Sequence, residues 1–121
     1  MADLTLYHKP TCSKSREAKR ILDESGIPYD VVLYMEDPPS LEDLQAIAKK
    51  LDGEPKELMR PKEAIEAGFE MDRGHSDDDV LAFVAKHPAA LQRPIVVTPD
   101  RAVIGRPTEK VEDLVEETLR S

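Results

Sequence analysis

The chain predicts an α/β domain: a mixed four-stranded sheet with a central helical insertion over about residues 40–90. Three observations carry this. Residues 3–34 read as strand, helix, strand; residues 40–90 show helical periodicity without strand patterning; residues 94–119 return to two short strands and a last helix.

The elements follow in order. Residues 3–7, DLTLY, alternate apolar and polar with β-favouring types until Lys9-Pro10 breaks the extended run. From Ser13 the period becomes helical, with Ala18, Ile21 and Leu22 on one face, and Gly26 followed by Pro28 supplies the stop. Tyr29 to Tyr34 is β-branched and aromatic, a second strand parallel to the first through a right-handed crossover. Ser40 and Asp43 form a capping-box pattern ahead of a helix with Leu41, Leu44, Ile47, Ala48 and Leu51 on its apolar face. Lys56 to Arg60 and Pro61 to Gly68 read as two short helical turns with weak periodicity. Ser76 caps a further helix carrying Val80, Leu81, Val84 and Ala85, which ends at His87-Pro88. Pro94 to Thr98, a turn at Pro99-Asp100, and Ala102 to Ile104 make an antiparallel hairpin ended by Gly105. Thr108 caps a final helix with Val111, Leu114, Val115 and Leu119 on its buried side. That order, β-α-β, helices, β-β-α, is the order of a thioredoxin-like domain with a helical insert.

The 121 residues fit one domain, 1–121. A charged fraction of 35% beside 40% hydrophobic residues is a globular composition. With a formal net charge of −8, general attraction to nucleic acid or to an anionic membrane is disfavoured, so any anion site has to be assembled from particular residues. No basic leader precedes an apolar run and no stretch is long enough to span a bilayer, so a cytoplasmic location is expected. The one cysteine allows no intrachain disulfide, which suits a reducing compartment.

That cysteine, Cys12, falls at the start of the first helix, between His8 and Arg16. A thiol reacts as thiolate, and helix N-termini and nearby cations lower its pKa. The amides of that helix start, with His8, Lys14 and Arg16 close by, supply both, and the polar neighbours Thr11, Ser13 and Ser15 speak against an apolar interior. Ser15 occupies the second position of a C-x-x-C pair, so a thiol from outside the chain has to complete any redox cycle. Three later arginines each precede proline, at Arg60-Pro61, Arg93-Pro94 and Arg106-Pro107, which pushes each toward extended geometry at an element end. Guanidiniums converging on one thiol would bind a tetrahedral oxyanion through their forked donors, and Pro94 is the natural place for a cis proline. Against other chemistries, position 18 is Ala18 where a tyrosine-phosphatase-type loop needs arginine, and Gly-rich nucleotide signatures are missing. Cys12 with His8, His75 and His87 has no metal-ligand spacing, so no metal is expected.

Tyr7 to Arg16 (Y-H-x-P-x-C-x-x-S-R), Leu58 to Arg60, His87-Pro88, Arg93 to Thr98 (R-P-I-V-V-T) and Gly105 to Pro107 together resemble the glutathione/glutaredoxin-coupled arsenate reductases, over nearly the whole chain. The resemblance implies a thioredoxin-like, glutaredoxin-like fold and a cytoplasmic oxidoreductase of arsenic detoxification. In it His8, Cys12 and Arg16 form the catalytic motif, while Arg60, Arg93 and Arg106 bind arsenate and arsenite. It further implies no bound cofactor, glutathione as external reductant, glutaredoxin as partner, and a monomer. The same superfamily contains RNA-polymerase-binding regulators and glutathione-dependent thiol reductases, which stand as the alternative functions.

Overall fold

A computed structural model describes residues 4–51, 53–71 and 73–120. Four strands form the sheet: β1 (Leu4–His8), β2 (Tyr29–Leu33), β3 (Ile95–Val97) and β4 (Ala102–Ile104). The helices are α1 (Ser13–Ser25), α2 (Leu41–Lys50), α3 (Pro61–Glu66), α4 (Asp77–Lys86) and α5 (Glu109–Arg120), with short 3-10 turns at Pro55–Leu58 and Pro88–Ala90. Sheet order is β2-β1-β3-β4, with β1 parallel to β2 and antiparallel to β3, and β3 antiparallel to β4. This is the thioredoxin-like arrangement, with α2 to α4 as the insertion.

Period-two side-chain alternation sorts the sheet between two cores. Leu4, Leu6 and Val96 face α1 and α5, where they meet Ala18, Leu22, Val111 and Leu114. Ile95 and Ala102 face the insertion, where they meet Leu44, Ile47, Leu58, Leu81 and Val84. Burying each of the larger aliphatic side chains stabilises by about 1.5–3 kcal/mol, which outweighs the poor helix propensity of the short insert turns. Local chemistry sets the ends. Gly26 closes α1 in the left-handed conformation at φ 75°, open to glycine without steric cost. Ser40 with Asp43, and Ser76 with Asp79, form complete capping boxes for α2 and α4.

Two expectations change. Leu119 is 62% exposed, because the last turn of α5 runs on past the residues that cover Leu114 and Val115. Ser15, whose polarity speaks against an apolar interior beside Cys12, is fully buried, its hydroxyl satisfied inside the fold. Asp3, where the first strand was expected to begin, lies outside the described residues. Among the described residues no helix is long and apolar enough to cross a membrane.

Gly105 is packed too closely to accept any side chain. A Cβ there would lie 2.7 Å from Pro94 Cγ and 2.9 Å from Val111 Cγ2. Gly105→Ala is therefore expected to destabilise the protein by about 1–3 kcal/mol, the usual cost of overpacking. A denaturant midpoint unchanged from wild type would show that β4 and α5 yield more easily than this packing implies.

Candidate active site

Three pairings bring one end of the sheet to Cys12. The β1–β3 register, Tyr7 against Ile95, sets the segment before Ile95 beside the end of β1 and hence beside the loop that carries Cys12. The β3–β4 register, Ile95 against Ile104, puts Arg93 before one strand and Arg106 after its partner at the same end, closed by Gly105 N–H donating to Pro94 O at 2.8 Å. The third pairing lies in the insertion. Met59 bridges Leu91, Arg60 N–H donates to Ala90 O at 2.7 Å, and Gln92 N–H donates to Leu58 O at 2.7 Å. Arg60 thereby joins Arg93 across 33 residues of sequence. The Arg93-Pro94 and Arg106-Pro107 peptide bonds are both cis.

Cys12 is the N-cap residue of α1, with extended backbone at φ −92° and ψ 122°. Its Sγ stands where the oxygen of a capping serine would stand. The sulfur makes no cap hydrogen bond of full geometry, yet the Ser15 and Lys14 amides lie close enough to favour its charged form. Burial pushes the thiol pKa up, but those amides, the Arg93 guanidinium as a donor and the positive charge of Arg106 outweigh it and leave the thiol below its ordinary value. Arg106 Nη2 lies 3.4 Å from Sγ.

Each arginine is anchored differently. Arg106 Nε donates to Arg93 O at 2.7 Å. Arg93, whose side chain is 7% exposed, gives Nη1 to the Ala89 and Leu91 carbonyls at 3.1 and 3.3 Å and Nη2 to Glu63 Oε2 at 3.2 Å. Arg60 Nε donates to Glu63 Oε1 at 3.1 Å. One carboxylate thus ties two of the three arginines together, an oxygen to each. Burial pushes the Glu63 pKa up, but its own backbone amide and the two guanidiniums hold it below the usual carboxylate range, so it is ionised near neutral pH.

His8 and Arg16 take up other partners. His8 is buried, with Nδ1 2.6 Å from Ser15 Oγ, which also accepts from Lys9 N–H at 3.0 Å. Burial, followed by the charges of Lys19 and Arg16, pushes its pKa down, so the imidazole is neutral near pH 7 and lends no positive charge to the thiolate. Its visible action is to hold the Cys12 loop onto the first turn of α1. Arg16 is exposed and donates through Nη1 to Pro10 O at 2.9 Å. Of the six residues singled out from sequence, Cys12 and Arg106 meet directly, Arg93 joins them through its carbonyl, Arg60 joins through Glu63, and His8 and Arg16 brace the loop.

Two residues at the site escaped the sequence reading. Glu63 carried one signal, its i,i+3 spacing from Arg60 at a helix start; its link to Arg93 depends on the Met59–Leu91 bridge. Tyr34 read only as strand. Among the described residues its hydroxyl is buried without a hydrogen-bond partner, as is Arg93 Nε, and burial, offset in part by Arg93, keeps its pKa raised.

The chain is similar to known proteins over most of its length. The ArsC family profile matches residues 7–114. An arsenate reductase of Neisseria meningitidis serogroup A is 40% identical over 93% of this chain and 97% of its own length. A Yersinia pestis protein of known structure superposes with a TM-score of 0.82 at 42% identity, covering 92% of this chain and 99% of that one. An arsenate reductase of Vibrio cholerae superposes with a TM-score of 0.80 at 38% identity, covering 93% and 97%.

Proposed function

The chain belongs to the ArsC family, and on that premise we propose that it reduces arsenate to arsenite with Cys12 as nucleophile and an external thiol as electron donor. The observation that carries the reading is the thiol of lowered pKa at a helix N-terminus, with Arg106 Nη2 3.4 Å from its sulfur and Arg93 beside it. Such a site offers a nucleophile and forked donors for the oxygens of one tetrahedral anion.

In the proposed cycle the arginines hold arsenate, and Cys12 thiolate forms a sulfur–arsenic(V) bond as one arsenate oxygen leaves as water. A first external thiol then adds to the adduct. Two electrons pass from the two sulfurs to arsenic, releasing arsenite and leaving Cys12 in a disulfide with that thiol. A second external thiol resolves the disulfide and returns Cys12. The chain supplies no resolving partner of its own, since Ser15 stands where one would be and is buried against His8. Glutathione as the first thiol and glutaredoxin as the second fit this requirement, and a monomer in the cytoplasm suffices for it.

The test is an arsenate-reduction assay with glutathione alone, glutathione plus glutaredoxin, and thioredoxin. Arsenite formation that requires glutathione and rises with glutaredoxin supports the whole reading; turnover with thioredoxin alone would replace the donor; no arsenite with any donor would sink the reaction. Activity on glutathionylated substrates in the absence of arsenate would favour a thiol reductase instead.

A further inference from the structure

The carboxylate among the arginines calls for its own account. A site meant to attract an anion gains from every positive charge, and Glu63 removes one by standing between Arg60 and Arg93 with its side chain only 19% exposed. Anchoring explains it for Arg60, whose Nε it accepts, but not for the other two arginines. Arg106 is held by the Arg93 carbonyl, and Arg93 Nη1 by the Ala89 and Leu91 carbonyls, all neutral acceptors. A carboxylate does something a carbonyl does not. It is an acceptor only and it carries charge, so it welcomes an oxygen that bears a proton and repels one that does not.

Glu63 has capacity left for such an oxygen. Its two oxygens offer about four lone-pair positions; the two arginine bonds use one on each oxygen and its own backbone amide draws on a third, which leaves room for one more donor. It is linked to the sulfur through the arginines: Arg93 gives Nη2 to Glu63, and the Arg93 carbonyl holds Arg106, whose Nη2 lies 3.4 Å from Cys12 Sγ. An oxyanion held by Arg93 would therefore lie one guanidinium from this carboxylate.

We propose that Glu63 is a specificity-determining residue which makes the site accept oxyanions that keep a proton near neutral pH, such as arsenate and phosphate, and reject fully deprotonated ones such as sulfate. The proposal rests on reading the site as an oxyanion site. Specificity of this kind works through an unfavourable contact with the wrong ligand. A half-buried carboxylate facing a sulfate oxygen is such a contact, while the same carboxylate accepts the O–H of a hydrogen arsenate.

The experiment measures how well inorganic phosphate and sulfate protect Cys12 from alkylation in the intact protein, and needs no turnover. In the wild type, phosphate is expected to protect at concentrations at least about tenfold lower than sulfate, a discrimination typical of one misplaced charge. Glu63→Gln keeps the side chain's size and one acceptor but removes the charge, and should shrink the ratio at least about fivefold, with sulfate gaining. A general loss of anion affinity from loosened arginines would move both anions together and leave the ratio alone. An unchanged ratio in Glu63→Gln overturns the proposal. Should that variant fail to fold, equal protection by both anions in the wild type overturns it, and the expected tenfold preference supports it. Protection by neither anion overturns the oxyanion reading beneath it and the proposal with it, whereas the expected ratios in a protein that fails to reduce arsenate leave the proposal standing and discard only the reaction.

Discussion

Cys12→Ser is expected to lower arsenate turnover at least about a thousandfold, the scale on which loss of an enzyme's nucleophile acts, while leaving the fold intact. The substitution changes one atom at the N-cap of α1, and serine is a preferred residue there, so stability should hold or rise slightly. Function has no such tolerance. The hydroxyl is not ionised near neutral pH and oxygen does not end the cycle in a disulfide, so both attack and electron transfer are lost. Arsenite formation measured beside a thermal melt separates the two outcomes. Turnover within tenfold of wild type would remove Cys12 from the mechanism, whatever the arginines do.

Arg93→Ala is the second large effect, because Arg93 has the most connections at the site. Its guanidinium is bonded to Glu63 and to the carbonyls of Ala89 and Leu91 and favours the Cys12 thiolate, while its own carbonyl anchors Arg106. Losing one preorganised donor of this kind costs about a hundred- to a thousandfold in kcat, and kcat/KM for arsenate should fall by at least that much. The thiol should respond as well. With one donor gone, burial counts for more and the midpoint of the alkylation rate against pH should move up. The stability sign follows. A thiol whose folded pKa is depressed contributes stability above the ordinary thiol pKa and loses it as pH falls through the lowered value, so Arg93→Ala should weaken stability most on the alkaline side. A variant with wild-type kcat/KM and an unmoved alkylation midpoint would show that the α1 amides and Arg106 tune the sulfur without Arg93.

Much of the fold was legible because its signals are local. Alternation in β1, the glycine stop of α1, the two serine capping boxes and the β3–β4 hairpin depend on residues a few positions apart, where side-chain direction and backbone preference act without tertiary help. The segment between α2 and α4 was legible only as two short helical turns, which the structure has at Pro55–Leu58 and Pro61–Glu66. Its 3-10 turn and the six residues of α3 are too short to announce a period, and the bridge from Met59 to Leu91 holds them in place. The same bridge explains what was missed at the site. Cys12 and the arginines stand out by residue type and by their prolines, but the importance of Glu63 arises only once Arg60 and Arg93 are neighbours. His8 shows the converse: its place beside the cysteine in sequence suggested a charge, and burial against Ser15 leaves it neutral. Leu119 marks the limit of periodicity, which states which face a residue lies on but not whether anything covers it.

The anchoring of the three arginines bears on the entropy of binding. A free arginine side chain carries about 2 kcal/mol of rotamer entropy, and a pocket of loose arginines would surrender it each time an anion arrived. Here Arg106 is tied at Nε to a main-chain carbonyl, Arg93 at Nη1 to two more, and Arg60 at Nε to a carboxylate. That freedom is given up once, when the chain folds, and the core bears the cost. Binding then draws on guanidiniums already aimed, so a small, strongly hydrated anion with few atoms to contact meets a site that has little left to order.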